Sequence, residues 1–360
     1  MGRLLFIFLV TLLLQAKAAD RRGSEFSSFT RLDEFQREVN GSDLVLFSKF
    51  IRPEIDWNEL VPSWNFRGER SQGLTFQARV VYPDQETKWY HLGHWSCDAL
   101  DLSRGSVRGQ KDADGTVSTD ILKTERRGGA LQLKITLHGC TNASGLNFVG
   151  LSFCDSTRHL EPLTSDKKAW GKSIRVPERS QVDYAEGVSS WCSPTSLSMI
   201  LSFWSRQIQR PDLEHAVPEV AREVNDPNWP GTGNWPFNTA FAGAHQQMRA
   251  CVTRFSDVTE LEQWIDAGIP MALSVSYGTL QGKAERGNGH LVVCIGFTAS
   301  GDVIVNDPGR GVVRQTYTRA NLIKAWGESN DTVYLTYPEN TAVPTDRFGH
   351  WPGELPKASN

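Results

Sequence analysis

Apolar and polar residues alternate through the first half of the chain. Within residues 26–160, the segments 74–82 and 131–137 place apolar side chains at nearly every second position, which is the period of half-buried β-strands. Three further strands are predicted at 43–50, 88–96 and 146–154. Because these strands are short and are separated by glycine, aspartate and serine, the pattern predicts an all-β, sandwich-like domain over 26–160.

A polar stretch, residues 161–175, separates this region from a second one with a different pattern, and we interpret it as a linker. The predicted helices are 194–205, 212–224, 238–249, 258–267 and 318–326, and the predicted strands are 271–277, 290–297, 302–306 and 332–337. Helices followed by a mostly antiparallel sheet indicate an α+β domain over 176–338. The polar, proline-containing residues 339–360 are expected to form a loosely held C-terminal tail.

The N-terminal eighteen residues have the pattern of a targeting segment. Arg3 provides a basic start, residues 4–14 are apolar except Thr11, and Ala16-Lys17-Ala18 has the small-x-small pattern of a cleavage site. The apolar run is too short for a membrane anchor. We therefore expect a signal peptide over 1–18, no transmembrane anchor, and an exported protein that is secreted or periplasmic.

Composition and net charge limit the kinds of function that this chain can have. The chain has 360 residues with 39% hydrophobic and 22% charged side chains, which is typical of a globular protein of two ordinary domains. A net charge of −3 gives no attraction to nucleic acid, so no nucleic-acid partner is expected. The aromatic residues Trp57, Trp64, Trp89 and Trp95 favour packing in the sandwich core or between domains over a ligand-binding face.

Cys192 holds the most informative position of the six cysteines. It lies in Trp-Cys-Ser-Pro-Thr-Ser, residues 191–196, directly before an apolar run with helical spacing, formed by Leu197, Ile200, Leu201 and Trp204. This places the thiol in the first turn of a buried helix, where the partial positive charge of the helix N-terminus lowers the pKa of a thiol. A single cysteine is more often a small buried apolar residue, so a nucleophile requires a histidine and an orienting group elsewhere in the chain.

A predicted hairpin supplies both partners. His290 opens the strand 290–297, a turn is centred near residue 300, and the return strand 302–306 runs into Asp307. In an antiparallel pair with this turn, residue 290 faces about residue 310, so the imidazole and the Asp307 carboxylate meet at one end of the hairpin. Asn306 is an alternative orienting residue, but neighbouring strand residues point to opposite faces, so only one of the two can face His290.

Together, Cys192, His290 and Asp307 have the chemistry of a nucleophile, its base and an orienting carboxylate. The Cys192 thiolate would attack a carbonyl, His290 would transfer the proton, and Asp307 would orient the imidazole. The backbone N–H of Cys192 and the side chain of Gln181 are the candidate donors of an oxyanion hole. A zinc site at Cys192, His290 and Cys294 is the competing interpretation, but no paired Cys-x-x-Cys or His-x-x-x-His spacing supports it, and we expect no metal and no cofactor.

Several segments of the second region occur in the same order as the motifs of a known protein family. They are Ser180-Gln181 with Tyr184, then 191–196, 233–240, 289–291 and 305–308, followed by Tyr317, Arg319, Trp326 and Val333-Tyr334. Through them, residues 176–338 resemble the secreted branch of the peptidases related to the bacteriocin-processing (double-glycine) cysteine peptidases, family thirty-nine of the cysteine class, within the papain-like superfamily. The N-terminal β region resembles, more loosely, a region found before this domain in similar exported bacterial proteins.

The resemblance implies a papain-like fold, a triad of Cys192, His290 and Asp307, and an oxyanion hole at Gln181. Gln181 lies 11 residues before the cysteine, farther than in most papain-like enzymes. Four residues are candidates for lining the substrate cleft, although a loop rich in tryptophan and proline also packs for stability. These four are Trp191, Asn234, Trp235 and Gly289.

The first hypothesis for function is an exported cysteine peptidase. It would cleave amide bonds of a peptide or protein substrate, with cell-wall peptide among the candidates, through a covalent thioester. Two alternatives stay open: a catalytically silent papain-like binding module, and an acyltransferase or peptidoglycan amidase that uses the same site.

Overall fold

The computed structural model describes residues 20–101, 103–229 and 231–353. The predicted signal peptide over residues 1–18 and the end of the predicted tail, residues 354–360, lie outside these ranges. No helix in the described ranges is long and apolar enough to cross a membrane. The described chain contains three antiparallel sheets, two of them in a β-rich N-terminal region and the third accompanied by helices.

Ten strands form the N-terminal region. They are β1 (Ser24–Phe29), β2 (Gln36–Asn40), β3 (Asp43–Phe47), β4 (Glu59–Phe66), β5 (Gly73–Val81), β6 (Tyr90–Ser96), β7 (Gly115–Ser118), β8 (Ile121–Thr124), β9 (Ala130–His138) and β10 (Leu146–Cys154). One sheet has the order β1-β10-β4-β8-β7 and the other β2-β3-β9-β5-β6. Trp64 on β4 stacks on Phe76 on β5 with ring centroids 5.6 Å apart, so the two sheets pack face to face.

Half of these strands lie where the alternating pattern predicts them, namely β3, β5, β6, β9 and β10. The pattern does not predict the other five. In β4, all eight residues are buried, and Pro62 interrupts a sequence that would otherwise suggest a strand. A strand that is covered on both faces has no polar side to alternate with, so its sequence carries no period-two signal.

The C-terminal region combines six helices with a six-stranded sheet. Its elements are α1 (Cys192–Gln207), α2 (Val217–Glu223), α3 (Trp235–Gly243), β11 (Met248–Arg254), α4 (Val258–Asp266), β12 (Met271–Ser276), α5 (Tyr277–Leu280), β13 (Gly289–Phe297), β14 (Val303–Asn306), β15 (Arg314–Tyr317), α6 (Arg319–Gly327) and β16 (Thr332–Pro338). The sheet order is β11-β16-β12-β13-β14-β15. The predicted helix over 238–249 is wrong in its second half, because α3 ends at Gly243 and the fully buried strand β11 follows.

Helix α1 is buried on nearly all sides, from Ser193 to Ser205, rather than along one apolar stripe. Its serines make this possible, since a small hydroxyl can be satisfied locally. The hydroxyl of Ser196 donates to the carbonyl of Leu291 at 3.2 Å, and Ser193 shares a hydrogen bond with the Tyr334 hydroxyl at 3.1 Å. These contacts fix the beginning of α1 against β13 and β16.

The two regions share an interface that is both apolar and hydrogen-bonded. Phe237 on α3 packs edge-on against Trp64 and Trp95, with ring centroids 6.3 and 5.2 Å away. Strand β11, at the edge of its sheet, docks on β4, where the Asn65 side chain pairs with both the N–H and the carbonyl of Ala250. The packing interpretation of Trp64 and Trp95 is therefore confirmed.

The C-terminal segment is held firmly as far as it is described, so the expectation of a loose tail is wrong for residues 346–351. His350 is fully buried, and its Nδ1 lies 2.9 Å from the carboxylate of Glu260. The Trp351 ring packs 5.2 Å from Phe255 and 5.6 Å from Trp264. The polar, proline-containing composition suggested a loose tail because it does not show that the aromatic residues of the segment pack into the folded domain.

The Phe237→Ala variant should lower the free energy of unfolding by about 3–5 kcal/mol, because it empties a fully packed aromatic site. Chemical denaturation measures the difference. The matched control is Phe50→Ala, since Phe50 is 46% exposed and its truncation should cost no more than about 0.5 kcal/mol. Equal stabilities of the two variants would contradict the role given to Phe237 at the interface.

Candidate active site

Cys192 is the first residue of α1, and His290 is the second residue of β13. Pro194 occupies the third helical position, where its missing N–H would have had no partner within the helix. The side chain of His290 and the backbone N–H groups of Leu291 and Ser193 all act to lower the pKa of the Cys192 thiol. Helix and sheet therefore bring the predicted nucleophile and the predicted base close enough to interact.

The β13–β14 hairpin brings the carboxylate of Asp307 to the imidazole of His290. Phe297 pairs with Val303, as a turn centred at residue 300 requires, and an irregularity between Cys294 and Gly296 then shifts the register by one residue. Asp307 directly follows β14, and its Oδ1 lies 2.8 Å from the Nε2 of His290. Because Nε2 is occupied by the carboxylate, Nδ1 is the ring nitrogen left for Cys192.

Asp307 is fully buried, and every contact it makes holds the carboxylate in place. Its Oδ1 also accepts from the backbone N–H of Gly309 at 2.9 Å, and its Oδ2 accepts from the Tyr317 hydroxyl at 2.6 Å. Asn306 turns to the other side and donates to the carbonyl of Val176 at 3.2 Å. Of the two orienting residues left open by the sequence, Asp307 is the one in contact with His290.

Sequence reasoning missed Tyr277 and Gly309 at this position, and it gave no role to Tyr317. The Tyr277 ring stacks on the imidazole of His290 with centroids 4.0 Å apart. A side chain at Gly309 would lie 2.9 Å from the Tyr277 hydroxyl and 3.1 Å from the imidazole, so only glycine fits. Tyr317 belongs to β15, a four-residue strand with no periodic signal, and only the family resemblance singles it out.

The site favours separated charges. Burial opposes the thiolate, but the hydrogen bond and charge of His290 outweigh it and lower the pKa of Cys192. Burial likewise opposes the imidazolium, but hydrogen bonds with Asp307 and Cys192 raise the pKa of His290 to about 9. Burial also opposes the carboxylate, yet the facing imidazole lowers the pKa of Asp307. The favoured state over a broad pH range is a thiolate, an imidazolium and a carboxylate in sequence.

Gln181 lies beside this group and is anchored to the Asp307 turn. Its backbone N–H donates to the carbonyl of Pro308 at 2.9 Å, and its side-chain Nε2 donates to the carbonyl of Val188 at 2.7 Å. One amide hydrogen is thus used within the loop that leads to α1, and one remains. The long spacing between Gln181 and Cys192 is taken up by a series of turns in which the Tyr184 and Trp191 rings lie 5.8 Å apart.

The four candidate cleft residues occupy different positions in the structure. Trp235 and Gly289 line one cavity of about 540 Å³ that begins one residue from His290. Trp191 is half-buried, caps the start of α1 and packs against the preceding loop.

Asn234 does not line a cleft. It is fully buried, its amide donates to Asp120 at 2.7 Å and to Asp226 at 2.9 Å, and its Oδ1 caps α3 by accepting from the N–H of Phe237. The prediction for Asn234 is wrong because the residue is an N-cap at the interface of the two regions.

Cys294 does not join the site either. It is fully buried four residues along β13, and burial raises the pKa of its thiol to about 12. Within the described ranges, no group of three or more histidine, cysteine, aspartate or glutamate residues is arranged to hold a metal ion. All six cysteines lie in these ranges, and each has a free thiol.

Comparison with known proteins identifies similarity in both regions of the chain. Residues 173–334 match the model of the Peptidase C39 like family, and residues 44–153 match that of the Peptidase C39 N-terminal domain. Residues 173–334 are therefore similar to the Peptidase C39 like family, which confirms the resemblance drawn from their motifs. No curated protein matches the chain. A crystal structure of a protein described as a C39-like peptidase from Bacillus anthracis aligns at 17% identity with a TM-score of 0.37, over 48% of this chain and 100% of that one.

Alkylation of Cys192 should be rapid at pH values well below an ordinary thiol pKa of about 8.5. The thiolate forms above the lowered pKa of Cys192, and its imidazolium partner persists up to the raised pKa of His290, about 9. In His290→Ala only burial and the backbone remain, so rapid labelling should disappear at neutral pH and return in alkaline solution. The measurement is the rate of iodoacetamide labelling against pH, with the site mapped by mass spectrometry.

Cys97 is an internal control for this experiment. It is half-buried, and burial raises the pKa of its thiol. It should label slowly at neutral pH in both the wild type and His290→Ala. Equal rates at the two cysteines of the wild type would contradict the ion pair, and undiminished labelling of Cys192 in the variant would assign its activation to the helix N-terminus alone.

The Tyr317→Phe variant removes a hydrogen bond to a buried carboxylate. It should lower the free energy of unfolding by about 1.5–3 kcal/mol, the usual range for a hydrogen bond to a charged group. Tyr184→Phe is the matched control, because Tyr184 is half-buried and its hydroxyl has no side-chain hydrogen bond within the described ranges; its effect should stay within about 0.5 kcal/mol. A urea titration that gives the two variants the same stability would refute the role of Tyr317.

Proposed function

We propose that this protein is a cysteine peptidase with a papain-like catalytic domain, in which Cys192 is the nucleophile, His290 the general acid and base, and Asp307 the orienting carboxylate. The observation that carries the proposal is the buried pair of His290 and Asp307, with Nε2 and Oδ1 2.8 Å apart, next to a Cys192 thiol whose pKa the imidazole lowers. The match of residues 173–334 to the Peptidase C39 like family supports the same reaction class.

The reaction would proceed in two halves. The Cys192 sulfur attacks the scissile carbonyl carbon, and the electrons of the carbonyl π bond move to oxygen. When the tetrahedral species collapses, the C–N bond breaks and the imidazolium of His290 gives its proton to the leaving amine, which leaves a thioester on Cys192. Water then attacks the thioester, His290 accepts a proton from it, and the sulfur departs as the thiolate.

Charge on the carbonyl oxygen would be met by backbone and side-chain donors. The first N–H groups of α1 have no acceptor within the helix, so the N–H of Cys192 is available to an oxyanion. The remaining amide hydrogen of Gln181 is the second donor, since its backbone is anchored to Pro308, next to Asp307. Export after removal of residues 1–18 is part of the same proposal and rests on the sequence pattern of that segment.

A silent binding module is the weaker alternative. A scaffold without catalysis has no need to bury Asp307 completely and still supply it with three hydrogen bonds, since an unreactive apolar residue would fill the space at lower cost. The acyltransferase or amidase alternative differs only in the acceptor that attacks the thioester, and the experiment below distinguishes it.

The Cys192→Ser variant should lose all peptide cleavage and keep the melting temperature of the wild type. The assay incubates purified protein with a peptide mixture in water enriched in oxygen-18 and identifies new C-termini by mass spectrometry. Hydrolysis places one heavy oxygen in each new carboxylate, because water resolves the thioester. In the presence of added glycine, an acyltransferase would instead give products extended by glycine.

Cys97→Ser is the matched control, since it removes a half-buried thiol of the N-terminal region and should leave cleavage unchanged. Cleavage that survives in Cys192→Ser would exclude the proposed nucleophile. An intact, rapidly alkylated Cys192 with no cleavage of any peptide or protein would favour the binding module.

A further inference from the structure

We infer that the cavity beside Gly289 is a substrate subsite built jointly by the two regions of the chain, and that it takes an acidic residue of the substrate. The inference rests on the proposed peptidase function and goes beyond it by naming a charge preference and the residues that set it.

The cavity joins elements that are distant in sequence. Its volume is about 540 Å³, which lies in the range of small-ligand sites and is ample for the side chain of one residue with part of the backbone. Gly289 at its rim is paired with Ser276 at the open end of the sheet and is directly followed by His290. The cavity thus begins one residue along β13 from the general base of the proposed mechanism, and we place its occupant next to the scissile bond.

The N-terminal region supplies one wall of the cavity. Glu59 on β4 and Ile121 and Lys123 on β8 line it, opposite Trp235 on the other side. The indole and the isoleucine give the stem of a side chain apolar surface to lie on. The cavity therefore exists only while the two regions are docked.

The charges at the cavity sum to one positive unit. Arg254 lies 2.7 Å from Glu59, and Lys123 lies 2.9 Å from the same carboxylate. Elsewhere in the lining, Arg286 lies 2.6 Å from Glu328. Three cations thus face two carboxylates, and the unbalanced positive charge favours an anionic occupant.

Two buried groups, Arg254 and Glu59, determine this charge balance. The Arg254 side chain is 1% exposed, and its Nη1 has no hydrogen-bond partner among the described residues. A buried guanidinium with an unused donor marks a site whose positive charge is incompletely compensated. Burial opposes ionisation of Glu59, but Arg254 and Lys123 outweigh it and lower the pKa of this carboxyl, so it counts as a full negative charge at neutral pH.

Lys123 is the residue best suited to set the preference. Its side chain is half exposed, whereas Arg254 is fully enclosed by protein. A substrate carboxylate can therefore approach the Lys123 ammonium from solvent without displacing the Glu59–Arg254 pair. Replacing Lys123 leaves Glu59 still paired, so the fold should tolerate the change.

The test measures how peptides protect Cys192 from iodoacetamide. Two libraries of capped octapeptides are compared, identical except that one fixed position holds glutamate in the first and glutamine in the second. The labelling rate without peptide reports separately whether Cys192 is an activated thiol. In the wild type, the glutamate library should protect at a concentration about three- to fivefold lower than the glutamine library, the usual effect of one half-exposed ion pair, and this difference should shrink as salt is added.

Variants assign the preference to the cavity. Lys123→Met should abolish the difference between the libraries, and Lys123→Glu should reverse it. Lys111→Met is the matched control, because it removes an exposed lysine of the same region that makes no ion pair within the described ranges, and it should keep the wild-type preference.

The possible results distinguish failure of the acidic subsite from failure of the proposed function. Rapid labelling with equal protection by both libraries, or with no protection by either, would overturn the acidic subsite and leave the proposed nucleophile standing. A glutamate preference that persists in Lys123→Glu would place the preference elsewhere and overturn the subsite as well. Slow labelling without peptide would overturn the proposed function, and the subsite would fall with it.

Discussion

The buried carboxylate of Asp307 is the constraint on which the site depends. An ionised carboxylate with no exposure to water is costly unless its lone pairs are used, and here three donors use them. Each donor belongs to a different piece of structure: His290 to β13, the Gly309 N–H to the turn after β14, and Tyr317 to β15. The three-stranded end of the sheet is therefore organised around one charge, and the loop that carries Gln181 is attached to the same turn through Pro308.

The interface between the two regions connects this group of residues to the neighbouring cavity. Phe237 lies two residues after Trp235 and three after the N-cap Asn234, so the segment that starts α3 packs on the N-terminal sandwich at one residue and lines the cavity at another. Glu59 and Arg254 form an ion pair across the same interface. The N-terminal region is thus more than a neighbour of the C-terminal region, because it supplies Glu59, Ile121 and Lys123 to the lining of the cavity.

Sequence reasoning succeeded where the signal is local or depends on the register of one hairpin. The start of α1 at Cys192 and the pairing of residues around a turn at 300 follow from short patterns, and the one-residue irregularity near Ile295 moved the partner of His290 too little to matter. It failed for β4 and β11, which are buried throughout and carry no alternation. It also failed for Asn234, because the same Asn-Trp-Pro sequence fits a cleft loop and a helix cap equally well, and only tertiary packing decides between them.

Two aspartates of this chain show why burial alone does not identify a reactive carboxylate. Asp120 and Asp307 both have no exposure to solvent. Burial dominates at Asp120, where the neighbouring charge of Asp226 adds to it and only hydrogen-bond donors such as the Asn234 amide oppose it, so its pKa rises to about 7. At Asp307 the facing imidazole supplies a positive charge, and the pKa falls instead. The first carboxyl can therefore be neutral while it joins the two regions, whereas the second must stay ionised to hold the imidazolium that the chemistry requires.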